Sequence, residues 1–74
     1  MFEKVCDIIC DQMDVDRSTI TMETRLAEDL HADSVEMVGV IMNLEEEFGV
    51  QFPFEELEQI KTVGDAVKYI ESKV

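Results

Sequence analysis

An all-α fold, a four-helix bundle with a long loop between helices one and two and a short third helix, is what the 74-residue sequence predicts. Three observations predict it. Apolar residues recur at helical spacing in three well-separated stretches. Two of those stretches open on capping-box pairs, Asp33 with Glu36 and Thr62 with Asp65. The one candidate strand, Val50-Gln51-Phe52, is too short for a credible sheet.

The composition fits a single small domain over residues 1–74. Hydrophobic residues make up 46% of the chain, enough for a core despite a formal net charge of -12. At this length the core is near the lower limit that holds without metal or disulfide help. The charge disfavours nucleic acid and anionic membrane surfaces, and steers the chain toward enzymes carrying Lys and Arg patches. No apolar run is long enough for membrane insertion, and the start, Met1-Phe2-Glu3-Lys4, lacks the pattern of a signal peptide, so a cytoplasmic monomer is expected.

Helix one is predicted over residues 2–13 from Phe2, Val5, Cys6, Ile9 and Met13, with Ile8 and Cys10 widening its apolar arc toward a second neighbour. Cys6 and Cys10 are four apart and share a face. They read as small hydrophobes with free thiols, because the lone His31 is too distant in sequence to complete a metal site.

From Asp14 to Asp33 the periodicity breaks into an Asp-, Ser- and Thr-rich stretch. An ordered loop with a turn or two of helix is expected, pinned by Val15, Ile20, Leu26 and Leu30. The run Asp14-Val15-Asp16-Arg17-Ser18 resembles a calcium loop, but Thr19 stands in the place of the glycine and Arg25 in that of the closing glutamate.

Helix two is predicted over residues 34–48, with Asp33 as its cap, Ser34 at its first position and Gly49 ending it in the left-handed conformation. Met37, Val40, Ile41, Leu44 and Phe48 fall within an arc of about 100° and form the core stripe. Val35, Val38 and Met42 fall within a separate arc of about 60°, flanked by Ser34, Glu45 and Glu46. Burial of both faces between other helices would account for this pattern, as would an open second face that docks partners with the acids as its rim. The position of Ser34 beside the second face favours docking. Glu45, Glu46 and Glu47 also crowd the helix end where the dipole disfavours negative charge, by roughly 0.3 to 1 kcal/mol each. A basic partner would give them a use.

Pro53 opens a brief third helix through Phe54, Leu57 and Ile60. Helix four runs from Val63 to Lys73, with Val63, Ala66, Val67 and Ile70 on the core side and Tyr69 flanking them with its hydroxyl at the surface. No base and orienting group assemble in sequence around a nucleophile, and the chain is too small for a substrate cleft, so catalysis is not expected.

Glu28-Asp29-Leu30, Ala32-Asp33-Ser34, Leu44-Glu45-Glu46-Glu47-Phe48 and Thr62-Val63, in that order along nearly the whole chain, resemble the acyl carrier proteins of fatty acid and polyketide synthesis. The resemblance implies that Ser34 carries phosphopantetheine, transferred from coenzyme A by a phosphopantetheinyl transferase, with acyl groups held as thioesters on its thiol. It further implies that Asp33, Val35, Glu36, Val38, Met42, Glu45 and Glu46 form the face read by acyl-processing enzymes. By the same likeness Leu26, Met37, Ile41, Leu44, Phe48, Leu57, Ile60 and Tyr69 line an acyl pocket. His31 stands where the family often has glycine, Val35 where it has leucine, and Gly39 where it commonly has an acid. Peptidyl carrier domains usually have glycines before the serine, unlike His31-Ala32. A carrier for a polyketide or another specialised pathway, and an unmodified acidic module docking through the second face, stand as alternatives.

Overall fold

The computed structural model describes residues 1–74 and contains four α-helices: α1 (Phe2–Gln12), α2 (Ser34–Phe48), α3 (Phe54–Leu57) and α4 (Val63–Lys73). A 3-10 turn at Arg17–Thr19 interrupts the long loop. Both capping boxes form. Glu36 N–H donates to Asp33 Oδ1 at 2.8 Å, and Asp65 N–H donates to Thr62 Oγ1 at 3.0 Å. Gly49 closes α2 at φ 65°, a conformation that costs glycine nothing.

α1 is the central element and packs against both α2 and α4. Val5, Cys6 and Ile9 meet Val40, Ile41 and Leu44 of α2 and Val63, Ala66, Val67 and Ile70 of α4 in one buried cluster. Burial pushes the Cys6 thiol above its ordinary pKa, and Cys6 and Cys10 are both free. Gln12 of α1 reaches over Gly39, and its Oε1 accepts from Asn43 Nδ2 at 2.8 Å. A Cβ on residue 39 would overlap the Gln12 amide, so the glycine that weakens α2 as a helix admits a polar clasp between α1 and α2.

The loop is ordered by the expected residues and by one feature the sequence does not display. Ile20 and Leu26 are buried, and Val15 and Leu30 pack against the core. Arg17 is paired with Asp7 and donates to the Glu3 carbonyl, tying the 3-10 turn to α1. The unforeseen feature is backbone pairing with the start of α4. Leu26 N–H donates to Lys61 O (2.9 Å), Val63 N–H to Thr24 O (2.9 Å) and Gly64 N–H to Met22 O (2.7 Å), around an antiparallel bridge of Arg25 with Thr62. Gly64 is required there, because a Cβ would lie 2.6 Å from the Met22 carbonyl oxygen.

Two helix ends differ from expectation. α1 stops at Gln12, with Met13 extended and buried. α3 stops at Leu57 rather than Ile60, because Gln59 N–H and Ile60 N–H turn back to the carbonyls of Glu56 and Leu57 and swing Ile60 into the core. No helix is long and apolar enough to cross a membrane.

Candidate functional site

Ser34 is the first residue of α2 and is exposed. The capping box engages the N–H of Glu36 and, through Glu36 Oε1, that of Asp33 at 3.3 Å. The N–H groups of Ser34 and Val35 find no acceptor among the chain's own groups. A hydroxyl therefore stands next to two free donors at the positive end of a 15-residue helix. Before it, His31 holds φ 57°, the left-handed conformation that glycine takes most easily, which gives a physical reason for glycine at this place in the family pattern.

The two faces of α2 separate as the helical wheel suggests. Val40, Ile41 and Leu44 are buried and Met37 and Phe48 half-buried, whereas Val35, Val38 and Met42 are 77%, 56% and 60% exposed. The acids around that open face are not all free. Glu36 serves the cap, and Glu45 accepts the Phe52 N–H at 2.9 Å, holding the segment that follows Gly49 against α2. Asp33 and Glu46 are exposed.

Met37, Ile41, Leu57 and Ile60 do come together, with Val38, around a wholly apolar cavity of about 90 Å³. Leu26 joins Met37 and Ile60 in an adjoining groove of about 520 Å³, where Arg25, Lys61 and Asp65 provide polar edges. Leu44, Phe48 and Tyr69 line neither space. Leu44 is sealed inside the core, while the Tyr69 ring packs on Phe52 with centroids 4.7 Å apart and its hydroxyl donates to the Gln51 carbonyl at 3.0 Å. Val38 belongs both to the open face and to the mouth of the cavity. Phe54, at the start of α3, is 75% exposed, and its outward position is not evident from a sequence that places it in a short helix.

Beside the groove, Arg25 grips Asp29 and Glu28. The guanidinium and N–H of Arg25 hold the Asp29 carboxyl below its usual range, and Asp29 in turn raises Arg25. Asp65 is lowered by the N–H of Lys61 and then that of Thr62. These pairs fix the loop beside the site. They do not line up a base with a nucleophile.

Residues 3–70 match the family model described as a phosphopantetheine attachment site, which places the chain among carriers of that prosthetic group. It is 50% identical to the acyl carrier protein of Lactobacillus acidophilus, over 97% of this chain and 90% of the relative. The acyl carrier protein of Clostridium acetobutylicum is likewise 50% identical, over 97% of this chain and 94% of its own. Among solved structures, the acyl carrier protein of Enterococcus faecalis superposes with a TM-score of 0.84 at 37% identity, covering 99% of this chain and 92% of that one. A putative acyl carrier protein from Anaplasma phagocytophilum gives 0.89 at 29% identity, covering 97% and 85%. The chain belongs to the acyl carrier protein family, and its function is to carry acyl groups on phosphopantetheine.

Proposed function

We propose that Ser34 is the residue that receives phosphopantetheine, and that residues 1–74 act as one monomeric carrier domain serving fatty acid synthesis. The observation that carries the assignment is the opening of α2: an exposed hydroxyl beside two donors that nothing in the chain satisfies. A phosphodiester there gains those N–H groups and the favourable end of the helix dipole. When bound, the group supplies the terminal thiol on which acyl groups ride as thioesters.

The protein's own residues position and protect the cargo. Met37, Ile41, Leu57 and Ile60 offer an apolar space, with Leu26 extending it. Val35, Val38 and Met42 present an open apolar face, and Asp33, Glu36, Glu45 and Glu46 surround it with negative charge. That combination fits a phosphopantetheinyl transferase and acyl-processing enzymes with basic patches. The bond-making chemistry belongs to those enzymes. Near-complete alignment with two relatives named acyl carrier protein supports the pathway assignment.

Incubation with coenzyme A and a broad-specificity phosphopantetheinyl transferase tests the reading by intact mass. One arm per chain is expected for the wild type and none for Ser34→Ala. No addition to the wild type, or addition that survives Ser34→Ala, contradicts it.

A further inference from the structure

All but one of the large apolar residues that stand in solvent fall into two groups. Met1 and Val74 at the chain ends and Met22 in the long loop are scattered, whereas Val35, Val38 and Met42 form the open face of α2. Phe54 belongs to neither group by sequence, yet it is an aromatic side chain three-quarters exposed at the first position of α3. A groove between α2 and the segment leading into α3 is bordered by Met42, Glu46, Val50, Phe52 and Pro53, the last of which directly precedes Phe54 in the chain.

The segment presenting Phe54 is held at three points. Phe52 is buried with its ring on Tyr69, its N–H donates to the Glu45 carboxylate at 2.9 Å, and the Tyr69 hydroxyl holds the Gln51 carbonyl at 3.0 Å. Pro53 then fixes φ at -59°, so that Phe52 points into the core while Phe54 points out. An exposed aromatic ring on a segment already immobilised loses little freedom on binding, the property that makes aromatic residues effective anchors. Acids border it as well, with Glu46 on the groove and Glu55 and Glu56 following in α3.

We propose that Phe54 is a second docking anchor, outside α2, that inserts into an apolar pocket rimmed by Lys or Arg on the phosphopantetheinyl transferase. The inference rests on the reading of Ser34 and the α2 face given above. Charge complementarity between the acidic border and a basic rim orients the encounter, and Phe54 with Val38 and Met42 supplies the apolar contact. Phe54 acts as a positioning residue, setting how well the carrier is held while Ser34 reacts.

The test is steady-state loading by a purified broad-specificity transferase with saturating coenzyme A and varied carrier. Wild type, Val38→Ser, Phe54→Ser and Phe54→Leu are compared, with melting curves and sedimentation for each. Phe54→Ser should raise KM for the carrier about tenfold with kcat and melting temperature unchanged, and Phe54→Leu should recover most of the loss. An unchanged KM in Phe54→Ser, beside a raised KM in Val38→Ser, would confine docking to α2 and overturn the proposal. So would a lowered melting temperature in both Phe54 variants, or a wild-type dimer that Phe54→Ser dissolves, since the ring would then serve folding or a second copy. Failure of the wild type to load at all would instead remove the Ser34 reading, and this proposal with it.

Discussion

α2 and α4 begin with the same local chemistry and put it to opposite uses. Each opens on a reciprocal capping box, Asp33 with Glu36 and Thr62 with Asp65. At α4 the next two residues, Val63 and Gly64, are buried, and their N–H groups are taken by the carbonyls of Thr24 and Met22. At α2 the corresponding residues, Ser34 and Val35, are exposed, and their N–H groups are left unpaired within the chain. One helix start is spent on holding the long loop; the other stays open, as the proposed attachment at Ser34 requires. A capping box therefore identifies a helix start, while what crosses over it decides whether that start is structural or functional.

The sharpest way to break the comparison is to wedge the closed start apart. Gly64→Ala places a Cβ against the Met22 carbonyl, and overpacking of this kind should cost about 2 kcal/mol in urea unfolding. Removing the caps themselves should separate the two starts by a smaller margin. Thr62→Ala is expected to cost about 1 to 2 kcal/mol because its bonds are partly buried, whereas Asp33→Ala, at the solvent-facing start, should cost about 1 kcal/mol or less. Equal losses would show that the burial difference carries no energetic weight.

Acid provides a gentler probe of the closed start. The N–H groups of Lys61 and Thr62 hold the Asp65 carboxyl below its unfolded value, so the unfolded chain binds the proton more readily as pH falls. The stabilisation is thus complete above the unfolded carboxylate range, about pH 4, and is lost as pH drops through the lower folded value. Asp65→Asn should reduce the melting temperature at pH 7 and flatten the acid side of the stability curve, leaving the contribution of Asp29, which Arg25 lowers in the same direction. Smallest of all, salt should raise the melting temperature of the wild type slightly by screening the net charge of -12. A melting temperature insensitive to salt would mean that self-repulsion does not limit stability.

How much of this was legible in the sequence follows the range of the interactions. α2 and α4 occupy the residues expected because their stop and start signals are local: a cap and its partner three residues on, and Gly49 after Phe48. The division of α2 into two apolar faces was legible for the same reason, since a helical wheel needs only the spacing, but that the face of Val35, Val38 and Met42 stays open was not, because spacing alone fits burial of both faces equally well. Pairing of Met22, Thr24 and Leu26 with the start of α4 was not, because main-chain bonds between distant segments leave no side-chain pattern. The pocket set was legible in part. Spacing puts Leu44 and Phe48 on the same stripe as Met37 and Ile41, but only the three-dimensional course of α3 determines which end of that stripe borders empty space. Gly39, a loss when judged by helix propensity and charge, acquires a reason once Gln12 is seen to lie against it.

Ser34 itself offers the most direct measurement. Fragmentation mass spectrometry of the chain loaded from coenzyme A locates the arm among its three serines, Ser18, Ser34 and Ser72. The open start of α2 predicts a single phosphopantetheine on Ser34 and none elsewhere. An arm on Ser18 or Ser72, or a chain that stays unmodified under conditions that load an acyl carrier relative, would contradict it.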